Sequence, residues 1–300
     1  MTALRRLGFA LCALVVVAPA LLLFRPAQGA RPAGSVAGAA SRLVALRYGG
    51  LARDYRLFVP AGARHARPLL LALHQLHGSA LAWERRSGLD LGAAANGVVV
   101  AYPDGVGHSW NAGTCCQPAA GRRVDDVGFL RAVVADVARR TPVDLSRVAV
   151  TGFSNGALMS YRFVCTPASP ARVAVAVAGD LVAGACQPSR PVSLLHVHGG
   201  TDPVIPVDGE ARSPIDPDGF PPARTSIGVV ATADRCGAGS DVAGPLVSAW
   251  RASGCAGGAR VELLTSARLG HSYPVGSGAS ASYGVDMAAL TWQFLATVWG

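Results

Sequence analysis

Apolar and polar positions alternate through residues 42–48 and again through 53–59, with Gly49-Gly50 between them. A period of two on both sides of a glycine pair predicts an antiparallel hairpin, which Pro60-Ala61-Gly62 brings to an end. The pattern then changes. Residues 68–74 are almost continuously apolar, as expected of a strand covered on both faces. A helix is predicted over 81–96, and a second buried strand over 97–102 stops at Pro103-Asp104-Gly105. Residues 106–123 show no period. Asp125 or Asp126 then caps a helix whose apolar stripe is Val127, Leu130, Val134 and Val137, with Arg139 and Arg140 suited to its C-terminal end. Further buried strands are predicted over 148–150, 173–178 and 192–198, a last one over 260–265, and a closing helix over 285–299. The Pro/Gly-rich stretch 213–222 reads as a surface loop or partial lid. Strands alternating with helices build a mostly parallel central sheet with helices on both faces, an α/β fold, here in one domain spanning 41–300.

The N-terminus stands apart from this pattern. Arg5 and Arg6 precede an apolar run over 7–24, and Ala27-Gln28-Gly29 supplies small residues for cleavage before Ala30. These are the parts of an export signal over 1–29, followed by a flexible Ala/Gly/Pro/Ser lead-in over 30–40. An uncleaved membrane anchor is the competing reading of the apolar run. Export places the protein outside the cell, without a stable membrane partner once the signal is removed. Of seven cysteines, Cys12 falls in this leader, and Leu11 before it is too large for lipoprotein processing. The other six suit disulfides rather than metal ligands, since no C-x-x-C or H-x-x-x-H spacing occurs. Cys236 and Cys255 flank one Gly-rich segment and form the preferred pair; the pairing of Cys115, Cys116, Cys165 and Cys186 stays open.

Composition narrows the function classes. Hydrophobic residues make up 51% and charged ones 15%, which excludes extended disorder. The net charge of +9 comes from arginine alone, and the arginines are scattered singly or in pairs. Nucleic-acid binding would require them clustered on one face, so no nucleic-acid partner is expected.

The candidate chemistry lies after the strand at 148–150. Gly152-Phe153-Ser154-Asn155-Gly156 has the form G-x-S-x-G, and Ala157-Leu158-Met159 begins a helix behind it. A sharp strand-to-helix turn forces the serine into a strained backbone conformation, and side chains two residues away on either side would collide. The hydroxyl of Ser154 is then held at the mouth of the sheet beside a helix N-terminus that favours negative charge. Such a nucleophile needs a base, and the base needs an acid, with the chain order Ser, Asp, His. Asp202 lies just beyond the strand at 192–198; Asp180 and Asp208 are its rivals. His271 is the sole histidine after Asp202, whereas His196 and His198 lie within an apolar strand and read as structural. An oxyanion hole should combine the Asn155 N–H with one from the loop after His74, that of Leu76 if His74 ends the strand or that of Ser79 if His77-Gly78 is the turn. Trp110 and Tyr273 are expected to approach the C-terminal edge of the sheet as substrate-contacting aromatic walls. The set needs neither a cofactor nor a metal.

Eight pieces, in order, resemble one family. They are Gly50-Leu51-Ala52-Arg53-Asp54-Tyr55-Arg56, Leu73-His74, Tyr102-Pro103-Asp104-Gly105, Trp110-Asn111 through Cys115-Cys116, Val124-Asp125-Asp126-Val127-Gly128-Phe129-Leu130, the Gly152 to Gly156 elbow, His198-Gly199-x-x-Asp202 and Gly270-His271-x-x-Pro274. The chain resembles the exported bacterial α/β-hydrolases grouped with poly(3-hydroxybutyrate) depolymerases, feruloyl esterases and acetylxylan esterases. That resemblance implies an α/β-hydrolase fold with Ser154 as nucleophile, Asp202 as acid and His271 as base. It also aligns the family's Leu-His-Gly with His74, which favours Leu76 as the second oxyanion donor. Gln75 stands where the family usually has Gly, and Tyr273 where Trp is common. The function expected is a secreted serine carboxylic-ester hydrolase acting through an acyl-enzyme on feruloyl or acetyl esters of plant polysaccharide. A polyester depolymerase is the alternative. Acyl transfer on the same fold and a non-catalytic binding protein rank below it.

Overall fold

Glycine and alternation shape the chain's first elements. The structure, a computed structural model, describes residues 40–62 and 65–300. The leader over 1–29, Cys12 and the lead-in up to residue 39 lie outside the described residues. In chain order the strands and helices are β1 (Ala40–Tyr48), β2 (Leu51–Val59), β3 (Arg67–Leu73), α1 (Ala80–Ser87), α2 (Leu89–Asn96), β4 (Val99–Pro103), α3 (Asp126–Arg140) and β5 (Val143–Phe153). They continue with α4 (Asn155–Val164), β6 (Val173–Val177), β7 (Ser193–Gly199), α5 (Ala223–Ala233), β8 (Gly237–Val242), β9 (Val247–Ser253), β10 (Val261–Ser266), α6 (Ser277–Tyr283) and α7 (Met287–Trp299).

The ten strands form one sheet in the order β1-β2-β4-β3-β5-β6-β7-β10-β9-β8. From β4 to β10 the neighbours run parallel, and antiparallel strands close both edges. Strand side chains alternate between two cores. Leu69, Leu71 and Leu73 of β3 face a core built with α3, α4 and α5, while Leu70 and Ala72 face one built with α1, α2 and α7. This is the α/β-hydrolase arrangement. Chain direction across the sheet reverses beside β3, with β4 on one side and β5 on the other, and α/β ligands bind in the crevice at the strands' C-terminal ends there. Among the described residues, no helix is long and apolar enough to cross a membrane.

Several elements differ from the sequence expectation. The helix expected over 81–96 is two helices, because Gly88 adopts a left-handed conformation (φ 70°) that ends α1 and lets α2 leave at a new angle. In α3, Asp125 is the cap, its carboxylate accepting from the Gly128 N–H at 2.9 Å. Asp126 is buried and pairs with Arg53 at 2.9 Å while also accepting from the Asn111 N–H. The buried stripe of α3 is Phe129, Leu130, Val133, Val134 and Val137, with Val127 half-exposed. Finally, α5, α6 and the β8–β9 hairpin have no counterpart in the sequence expectation. Gly237-Ala238-Gly239-Ser240-Asp241-Val242 is exposed throughout, and its pairing is fixed by the backbone of β9 rather than by a buried face. A side chain at Gly239 would collide with the indole of Trp250, which lies across the strand.

Disulfides join Cys236 to Cys255, Cys165 to Cys186 and Cys115 to Cys116. The first is the preferred pair of the sequence reading. The second ties the C-terminal end of α4 to the loop after β6. The stretch 213–222 is an anchored loop: Asp216 is fully buried and accepts from the Thr114 hydroxyl at 2.6 Å, and Glu210 pairs with Phe220.

The end of α5 yields a test of pH dependence. Asp234 is buried; one carboxylate oxygen accepts from the Val192 N–H at 2.9 Å and the other has no partner among the described residues. Burial pushes its carboxyl up to about 6 against this hydrogen bond. An unfolded aspartate ionises near pH ~3.9, so folding resists ionisation, and stability present below that pH is lost as pH rises through about 6. Asp234→Asn keeps the acceptor for Val192 and cannot ionise. Its thermal midpoint should therefore gain on wild type between about pH 4 and pH 6, and the difference should level off above. A constant difference across that range would contradict the assignment.

Candidate active site

β5 delivers Ser154 directly into α4, and the turn is as strained as G-x-S-x-G implies: Ser154 has φ 55° and ψ −124°. Glycine is required on both sides. A Cβ at Gly152 would collide with the Gly156 carbonyl, and one at Gly156 with the carbonyl oxygens of Leu73 and His74 at the end of β3. That close approach brings the loop after β3 against the N-terminus of α4. Asn155 is the first residue of α4, so its N–H has no intrahelical acceptor. The Leu76 N–H, on the adjoining loop, makes no backbone hydrogen bond among the described residues.

Asp202 and His271 reach the same edge from β7 and β10. The two loops are bound together: the Thr201 N–H and hydroxyl both donate to the Leu269 carbonyl, at 3.1 and 3.0 Å, and the Gly200 N–H donates to Ser266 at 2.8 Å. One carboxylate oxygen of Asp202 accepts from the N–H groups of Val204 and Ile205, at 2.8 and 2.9 Å. The other lies 2.8 Å from His271 Nδ1, and His271 Nε2 lies 2.9 Å from the Ser154 hydroxyl. A carboxylate only accepts, so Nδ1 carries the proton and Nε2 presents a lone pair to Ser154. Burial alone would raise the Asp202 pKa, but the hydrogen bond from His271 and those from Ile205 and Val204 outweigh it and hold the carboxyl below its ordinary value.

Residues that the sequence reading set aside as structural brace this arrangement. The Tyr161 hydroxyl is 2.7 Å from His196 Nδ1, His196 Nε2 is 2.8 Å from His198 Nδ1, and His198 Nε2 is 2.8 Å from the Ile205 carbonyl. The carbonyl can only accept, which fixes the direction: Tyr161 donates to His196, His196 to His198, and His198 to Ile205. Burial holds both imidazoles below their ordinary pKa. The chain ends on the turn that supplies N–H groups to Asp202. Asp180 lies beside it, 3.9 Å from His196, and burial raises its carboxyl well above the ordinary range. Asp180, His196 and His198 are residue types that bind cations, yet both nitrogens of each histidine are already engaged.

Residues 130–213, which include the elbow and Asp202, match the phospholipase/carboxylesterase family. The chain is 32% identical to "Putative esterase NocK" of Nocardia uniformis subsp. tsuyamanensis over 76% of this chain and 72% of that protein. The chain belongs to the α/β-hydrolase esterases. It is also 31% identical to feruloyl esterase B of Piromyces equi, over 69% of this chain but 40% of that protein. With feruloyl esterase C of Emericella nidulans the identity is 31% over 52% and 57% of the two chains. Among solved structures, acetyl xylan esterase from Aspergillus awamori superposes with a TM-score of 0.60 at 14% identity, covering 84% of this chain and 99% of that one; this likeness concerns the fold. The protein is accordingly a carboxylic-ester hydrolase.

The esterase departs from expectation at both aromatic positions. Trp110 is fully buried, and its Nε1–H donates to the His74 carbonyl at 2.9 Å. The amide of Asn155 brackets its backbone, accepting from the Trp110 N–H at 2.7 Å and donating to the Trp110 carbonyl at 3.0 Å. Trp110 therefore locks its loop to the elbow and walls no open pocket. Tyr273 is likewise buried, packed edge-on against Trp83 and Phe153, while Phe153 in turn lies against His271 with ring centroids 5.0 Å apart. Apolar rings prefer each other to water, so both side chains turned inward; Trp110 fastens its own loop to the start of α4, and Tyr273 packs the loop that carries His271. His74 has the same role: it is buried, accepts from the Gly105 N–H at 3.0 Å, and burial lowers its pKa to about 4.

Proposed function

We propose that this esterase works through Ser154, His271 and Asp202 by way of an acyl-enzyme. The observation carrying the reading is the unbroken hydrogen-bonded line from Asp202 through His271 to Ser154 at the C-terminal end of the sheet. In the first half-reaction His271 Nε2 takes the Ser154 proton as Oγ attacks the ester carbonyl. The N–H groups of Asn155 and Leu76 receive the developing oxyanion, helped by the positive end of α4. Collapse expels the alcohol, which takes the proton from His271. Water then repeats the sequence on the acyl-enzyme and releases the acid. No cofactor or metal enters these steps.

The substrates proposed are feruloyl or acetyl esters of plant polysaccharide. Similarity to two feruloyl esterases supports this reading, although the chain spans 40% and 57% of their lengths. The protein is proposed to be exported, with 1–29 removed as signal, 30–40 as lead-in and 41–300 as the catalytic domain. Three disulfides suit an oxidising compartment. An ester panel tests the substrate. Methyl ferulate or an acetylated xylo-oligosaccharide should exceed a 3-hydroxybutyrate oligomer in kcat/KM by about tenfold or more, a difference of ~1.4 kcal/mol in transition-state binding. The reverse order would replace the carbohydrate-ester reading with the polyester one.

A further inference from the structure

β5 carries Ser154 at one end; at its other end lies a second feature that the ester chemistry does not use. A cleft of about 400 Å³ opens there, within the size range of small-molecule sites, lined by residues from the starts of β6 and β7, the loop before β10 and the end of α7. Arg147 lines it, seven residues before Ser154 along an extended strand, which puts the two sites roughly 20 Å apart.

The charges in this cleft are unbalanced. Arg147, Arg172 and Arg190 line it, and no carboxylate does. Arg147 is paired outside the cleft with Asp144 at 2.7 Å. Arg172 donates from Nη2 to the Ser189 hydroxyl at 3.2 Å, but its Nη1 is buried with no partner among the described residues. Arg190 makes no ion pair among the described residues. Burial, and after it the charge of Arg190, holds the Arg172 guanidinium below its ordinary pKa. The folded chain thus keeps two like charges close together, one of them partly desolvated, with donors unsatisfied. Two guanidiniums lining one cleft repel each other, and an anion bound between them would offset that repulsion. A guanidinium fork matches the plane of a carboxylate. The remaining wall mixes Ser146 and Ser193 with apolar Pro191, Val298 and Trp299, and an indole is a surface on which the CH face of a sugar ring can lie.

We propose that this cleft is a second binding site, remote from Ser154, for a carboxylate-bearing sugar such as a uronic acid residue of an acidic polysaccharide. The choice of a sugar rests on the polysaccharide-ester reading above. The carboxylate recognition rests on the arginines alone. Such a site would hold the esterase on an acidic chain while Ser154 acts on esters elsewhere along it.

Calorimetric titration of the full chain at low ionic strength tests this, with sodium glucuronate, glucose and sodium sulfate as probes. Glucuronate should bind saturably, at least ~10-fold tighter than either glucose or sulfate, and added salt should weaken it. Arg190→Ala, at an exposed position, should raise the glucuronate dissociation constant at least ~10-fold with an unchanged thermal midpoint. Arg172→Gln serves as a second variant, with the same rise in the glucuronate dissociation constant expected. Failure to saturate, glucose binding equally well, or affinity indifferent to both variants would overturn the proposal. Sulfate binding as tightly as glucuronate would also overturn it, leaving an anion hole without sugar recognition. The titration involves no ester cleavage, so a polyester preference in the substrate panel would refute the substrate reading without changing these outcomes.

Discussion

Ser154→Ala is expected to lower kcat/KM on small esters by on the order of 10⁴-fold or more and to abolish covalent labelling by a fluorophosphonate. The loss follows from the geometry. Among the described residues the only hydrogen bond of the Ser154 hydroxyl is the one to His271 at 2.9 Å, and alanine removes the oxygen proposed to attack without touching the Asp202–His271 pair. Folding should survive. Alanine meets the same backbone strain at φ 55° as serine does, and the glycines that admit the turn are unchanged. Circular dichroism and the thermal midpoint should therefore match wild type. A variant that still labels and turns over would place the chemistry at another residue.

Asp202→Asn is expected to lower kcat by a similar order, about 10³- to 10⁴-fold, with KM little changed. The reason is a tautomer. The turn presents two N–H groups, from Val204 and Ile205, to one side-chain oxygen, so an asparagine there must turn its carbonyl to that turn and its NH₂ to His271. An NH₂ cannot accept from Nδ1. The imidazole would then carry its proton on Nε2 and lose the lone pair that takes the proton of Ser154. Asp180→Asn and Asp208→Asn should stay within about threefold of wild type, a span of well under ~1 kcal/mol. Asp180 is buried against His196 with its carboxyl pushed well above the ordinary range, and Asp208 is exposed on the loop beyond. Single-turnover kinetics of the three variants would decide the matter, and a reversed ranking would move the acid to Asp180 or Asp208.

Local pattern carried much of this molecule. The hairpin around Gly49-Gly50, the fully apolar strands and the Ser154 elbow are written in stretches of five to nine residues, because backbone period and glycine conformation depend on near neighbours. Chain order then pointed to Asp202 and His271, which come together beside Ser154 because successive parallel strands deliver their loops to one edge. Elements held by distant partners were not legible. β8 has no buried face of its own and exists because β9 pairs with it. Side-chain direction was hidden for the same reason. A tryptophan on a loop near the site reads as a pocket wall, whereas only the docking of that loop onto Asn155 and His74 shows that Trp110 is interior. The line from Tyr161 to Ile205 and the meeting of Arg172 with Arg190 join residues 18 to 44 positions apart, counted from their numbers. Hydrogen bonds and charges act over a few ångströms of space, and the sequence alone does not say which distant residues will share them.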